Sequence, residues 1–160
     1  MTTRRPLLRR AVIPFAVAAI VFGSAACQPR PASGPTASRA GASDASQMLT
    51  LINGYRAANG LPGLSTEGDA MAKAQQHADE MAAQGHIFHS SSLSSGIADG
   101  WTALGENVGM GGSPLQLQGM FQGSGPHNAN MLNGAYNFVG VGAARGSDGQ
   151  LYVTEDFVGR

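Results

Sequence analysis

His89-Ser90, Gly105-Glu106-Asn107 and His127-Asn128-Ala129-Asn130 are the strings of this chain whose residue types could do chemistry. Each sets an imidazole or a carboxylate among Gly, Ser, Ala and Asn. Imidazole titrates near neutrality and ligates metals, and a carboxylate can ligate, take a proton or orient a neighbouring imidazole. His89, Glu106 and His127 are therefore candidates for holding Zn²⁺ or another divalent ion, or for acid–base work on a bound water with Glu106 as the base. Their spacing is no short helical metal motif, so only the fold can bring them together. In the alternative reading the two histidines bond loop backbone and hold a cleft shut, while Glu106 orients one of them. Ser90, Asn107 and Asn130 are read as cleft support, the asparagines bonding backbone in loops. His77 reads as a half-buried helix residue and His86 as a surface residue. Ser90 beside His89 does not make a catalytic triad, which needs geometry that adjacency does not supply.

The elements that must position these residues are legible from periodicity and turn chemistry. Met48, Leu49, Ile52 and Tyr55 recur at helical spacing and predict a first helix over 46–58, capped by Asp44 or Ser46. A second helix is expected from Ser65 or Thr66 to Gln84, with Met71, Ala74, Ala78 and Met81 on one side and Gly85 as its stop. Residues 87–100 are irregular and carry His89, and a short strand is expected over 102–108, ending at Glu106. Ser113-Pro114 opens a third helix running through Phe121, broken by Gly123-Ser124-Gly125-Pro126 just before His127. Residues 137–144 and 150–158 read as strands of a hairpin turning at Ser147-Asp148-Gly149. Met71, Met81, Met110, Met120 and Met131 are expected to fill the core or a groove. Helices first, an irregular centre and a closing hairpin argue for an α+β domain over 46–160.

The N-terminus reads as an export signal. Arg4, Arg5, Arg9 and Arg10 precede an apolar run over 11–23 that is short for a membrane span. It ends in Ser24-Ala25-Ala26-Cys27, which resembles a lipobox, so residues 1–26 are expected to be a lipoprotein signal peptide and Cys27 the lipidated residue. Two acyl chains would anchor the protein to the outer face of the cytoplasmic membrane; ordinary secretion is the alternative. Thr3-Arg4-Arg5-Pro6-Leu7-Leu8-Arg9 also resembles a twin-arginine signal. Residues 27–45 hold no large apolar side chain and are expected to be a disordered tether. Cys27 is the only cysteine, which excludes an internal disulfide. From Ser46 onward four Lys and Arg (Arg56, Lys73, Arg145, Arg160) face nine Asp and Glu, a poor balance for binding nucleic acid.

Several stretches in order resemble the CAP superfamily (cysteine-rich secretory proteins, antigen 5, pathogenesis-related 1) in its bacterial form. They are Leu51-Ile52-Asn53-Gly54-Tyr55-Arg56, Gly60-Leu61-Pro62-Gly63-Leu64 and Ala74-Gln75-Gln76-His77-Ala78-Asp79-Glu80-Met81-Ala82. His89-Ser90, Gly105-Glu106-Asn107-Val108, Pro126-His127-Asn128-Ala129-Asn130-Met131-Leu132, Val139-Gly140-Val141-Gly142 and Glu155-Asp156-Phe157 follow. The resemblance implies an α–β–α sandwich around a small antiparallel sheet. It also implies a cleft of His89, Glu106 and His127, in which some relatives bind divalent metal. Phe121 stands where relatives often have tryptophan, and the second glutamate of a His-Glu-Glu-His cleft is missing, with Ser124 or Gln122 at that corner. From the resemblance the leading expectation is a non-enzymatic binding module of the cell envelope, for a lipid or sterol-like ligand or an envelope partner. A metal-dependent hydrolase using His89, His127 and Glu106, and a protein-interaction scaffold with a vestigial cleft, are the alternatives.

Overall fold

In the computed structural model, residues 35–160 are described. The expected signal peptide and Cys27 lie outside them. The elements are α1 (Pro35–Ala58), β1 (Ser65–Thr66), α2 (Gly68–Gln84), β2 (Ala103–Gly111), α3 (Pro114–Gly123), α4 (Gly125–Met131), β3 (Phe138–Arg145) and β4 (Leu151–Gly159). The sheet order is β1-β3-β4-β2. β2, β4 and β3 pair antiparallel, and the two-residue β1 adds in parallel to β3.

Register decides which side chains share a face. Glu106, Asp156 and Gly140 lie side by side across the three strands, and Asn107, Glu155 and Val141 form the next row. Because strand side chains alternate, these rows face opposite sides. The face of Glu106 is covered by α2. A Cβ on Gly140 or Gly142 would run into the α2 backbone at Ala70 and Ala74, so these glycines let the helix lie directly on the sheet. The other face carries the main core, where Val139, Val141, Leu151, Val153 and Phe157 meet Met48, Ile52, Leu117, Phe121 and Met131 from the remaining helices. The result is the expected α–β–α sandwich.

Local chemistry accounts for the ends. Ser113 caps α3 by accepting the Gln116 N–H, with Pro114 in the first turn. Gly85 closes α2 in the left-handed region at φ 72°. Four boundaries differ from expectation. α1 begins at Pro35, so part of the stretch read as a tether is helical; Asp44 and Ser46 lie inside the helix and do not cap it. The reason is tertiary. Ala45 is buried in the core, and Asp44 pairs with Arg145 of β3 at 3.0 Å. Ser65 and Thr66 form β1, which delays α2 to Gly68. β2 runs past Glu106 to Gly111, because Gly109 and Gly111 lie opposite Val153 and Leu151. His127 sits in a short helix of its own, α4. Met81 and Met131 are fully buried as expected, whereas Met110 and Met120 are exposed.

Candidate functional site

The α2 face of the sheet holds a buried polar cluster built around Glu106. Its carboxylate is almost wholly buried, and it accepts from His89 Nδ1 at 2.7 Å, the Ser90 N–H at 3.0 Å, the Ser90 hydroxyl, and His77 Nδ1 at 3.2 Å. Lys73 Nζ lies 3.7 Å from it and 2.6 Å from the Asp156 carboxylate on the neighbouring strand. Burial by itself would raise the Glu106 pKa. The two Ser90 hydrogen bonds, the His89 bond and the charge of His77 outweigh it, and the carboxyl ends below its usual range. Asp156 goes the other way. Burial pushes it up to about 6 despite Lys73, with the Glu106 charge adding to the rise.

This pattern fixes protons. A carboxylate only accepts, and the Ser90 hydroxyl donates its single proton to Glu106. His77 Nδ1, 3.0 Å from Ser90 Oγ, and His89 Nδ1 must therefore both carry hydrogen. Each ring is left with Nε2 as its free nitrogen. The His89 side chain is 62% exposed, whereas His77 Nε2 is buried without a partner.

The opposite face carries a second network. Asn107 Nδ2 donates to Glu155 Oε2 at 2.9 Å and to the His127 carbonyl at 3.2 Å. Asn130 Nδ2 donates to Asn107 Oδ1 and to the Glu106 carbonyl, tying α4 to β2. Asn107 and Asn130, expected in loops, lie in β2 and α4, and Ser90 bonds Glu106 on the other face. Glu155 has no exposure, and burial pushes its carboxyl up to about 8 despite Asn107, so it holds its proton at neutral pH. The His127 ring packs on Phe121, centroids 4.9 Å apart. Burial, then the charge of His89, lowers its pKa.

The three residues singled out in the sequence are only partly brought together. Glu106 and His89 bond directly, whereas the Glu106 carboxylate is bonded by His77 and not by His127. His77, read as a half-buried helix residue, is an integral member of the cluster, as are Lys73 and Asp156. The sequence signals were the spacing of Lys73 and His77, one helical turn apart, and two adjacent acids in a strand with both faces buried. Ser90 does touch a histidine, but that histidine is His77 and not the adjacent His89.

A zinc site with three protein ligands does not fit this arrangement. Both Glu106 oxygens are occupied by donors, and among the described residues no three His, Cys, Asp or Glu side chains are grouped to hold a metal. Of the two residues read at the corner of the missing second acid, Ser124 leads into α4 and Gln122 lines a groove between α1 and α3.

Two concavities flank the sandwich. A polar cleft of about 570 Å³ runs between α2 and the serine-rich segment, with His77, Phe88 and His89 in its lining. A groove of about 360 Å³ between α1 and α3 is lined by residues that include Leu51, Gly54, Tyr55, Leu115 and Gly119.

Comparisons agree with this architecture. An extracellular SCP-domain protein of Bacillus anthracis superposes with a TM-score of 0.68 at 23% identity, over 82% of this chain and 45% of that one. An outer surface protein of Borrelia burgdorferi gives 0.67 at 14% identity, over 74% and 93% of the two chains. A cysteine-rich secretory protein of Staphylococcus aureus gives 0.64 at 18%, over 75% and 40%. The chain thus spans under half the length of the Bacillus and Staphylococcus proteins. No curated protein matches it significantly. The model of the CAP, or cysteine-rich secretory protein, family matches residues 49–157, and the chain belongs to that family.

Proposed function

We propose that this CAP domain is an exported, non-enzymatic binding module that takes an apolar ligand in the groove between α1 and α3. The groove itself carries the reading. Its size falls in the range of small-molecule sites, roughly 300–1,000 Å³. Leu51, Tyr55 and Leu115 supply apolar surface, while Gly54 and Gly119 place no side chain in it. Leu115, at the groove, is 67% exposed, an apolar side chain without a partner among the described residues. No Lys, Arg, Asp or Glu lines the groove, which suits a neutral or weakly polar lipid.

The polar cluster argues against catalysis. A base must have a free lone pair facing substrate, and a pKa near the working pH helps it. Glu106 has both oxygens engaged and a lowered pKa. Export is supported by the basic and apolar N-terminus and by relatives described as extracellular or outer-surface proteins. Cys27 is the proposed lipid anchor.

Delipidated protein should take up a fluorescent fatty acid or sterol saturably. Gly119→Phe, which fills the groove, should weaken uptake at least tenfold, and Glu106→Gln should leave it unchanged wherever the variant is folded. Absence of uptake, or uptake indifferent to Gly119→Phe, would overturn the reading.

A further inference from the structure

We infer that the polar cleft between α2 and the serine-rich segment is a separate site for a short neutral saccharide. Glu106 engages His77 and His89 through Nδ1, so Nε2 is the ring nitrogen each has left for another partner. His77 is 5% exposed, lines the cleft, and has its Nε2 buried without any partner. Buried polar atoms are nearly always paired, so an orphaned ring nitrogen at a cleft calls for a hydrogen-bonding group from outside. His89 Nε2 repeats the demand at the exposed end. A ligand for this floor must bring groups that can give or take hydrogen bonds, as hydroxyls do.

The walls narrow the class. Gln76 and Glu80 stand on α2, and Ser91, Ser92 and Ser95 face them from the serine-rich segment. Amide and hydroxyl groups both give and take hydrogen bonds, as sugar hydroxyls do. Phe88, half-buried beside His77 with ring centroids 5.1 Å apart, adds one flat apolar surface. Lys73 also lines the cleft, held by Asp156 at 2.6 Å, and its charge opposes a cationic ligand. Glu80 and Asp69 oppose an anionic one. An uncharged, hydroxyl-rich ligand satisfies all of these conditions. At about 570 Å³ the cleft has room for an oligosaccharide rather than one small polyol.

The test is calorimetry on the purified protein with neutral trisaccharides of glucose, mannose and N-acetylglucosamine, beside trigalacturonate and spermidine. Saturable binding of a neutral trisaccharide is expected, weakened at least tenfold by Gln76→Trp, which places bulk at the cleft wall from an exposed helix position. His77→Phe should also abolish it, and far-ultraviolet circular dichroism checks that both variants are folded. Gly119→Phe in the other groove should leave it unchanged. Binding of spermidine or trigalacturonate in place of the neutral sugars would overturn the inference. So would neutral binding indifferent to Gln76→Trp, or no neutral binding at millimolar concentration.

Discussion

Glu155→Gln should abolish a pH dependence of stability that the sheet builds into this domain. Glu155 sits in the middle of β4 with no exposure; Asn107 bonds one oxygen, and the other has no partner. Its carboxyl is raised from 4.5 to about 8, chiefly by burial. Between those values the unfolded chain has lost the proton and the folded protein keeps it. The folded state therefore binds more protons, and stability falls as pH rises. The slope is about 1.4 kcal/mol per pH unit until the folded group itself titrates. Asp156, raised to about 6, slopes the same way below that pH, while His127, lowered from 6.5, slopes the opposite way. The clean window is pH 6.5 to 8, where Glu155 alone should cost about 2 kcal/mol. Glutamine mimics the protonated carboxyl in shape and keeps the acceptor for Asn107. Urea unfolding of both proteins across this window should show the natural protein losing stability while Glu155→Gln stays flat, the curves meeting near pH 5. Parallel curves would contradict this prediction, because they would mean that Glu155 is ionised in the fold.

Three further outcomes follow from the same physics. Glu106→Gln puts an amide donor among groups that already donate to this position, and should destabilise the domain by about 3–5 kcal/mol, the range for breaking a buried charge pair, in thermal or urea unfolding; an unchanged midpoint would contradict the hub. Arg56 is fully buried and donates to the carbonyls of Pro62, Met131, Asn133 and Tyr136, so Arg56→Met should cost about 3–5 kcal/mol by leaving acceptors unpaired, read by the same assay. Cys27→Ala should move the protein from the membrane fraction to the medium, and retention on membranes would contradict the proposed anchor.

The sequence was most legible where local chemistry decides the structure. Gly85, Ser113-Pro114 and the Ser147-Asp148-Gly149 turn set element ends without help from the rest of the fold. The start of α1 was not legible, because an Ala-, Ser- and Gly-rich stretch carries no apolar stripe; its helix depends on Ala45 reaching the core and Asp44 reaching Arg145. Strand pairing hid the site. Glu106 and Asp156 are neighbours only through the β2–β4 register, and a strand buried on both faces shows no alternation that would reveal it. The partner of His77 is hidden for a related reason. A histidine on the apolar side of a helix gives no sign of which strand residue lies beneath it, and here that residue is a carboxylate.

Glu106 is a saturated acceptor that orients His77 and His89. Imidazole proton–nitrogen correlation spectra at pH 8 test it most directly. His77 and His89 should both carry hydrogen on Nδ1, and both resonances should shift in Glu106→Gln. Rings without hydrogen on Nδ1 in the natural protein, or spectra unaltered by that substitution, would contradict it.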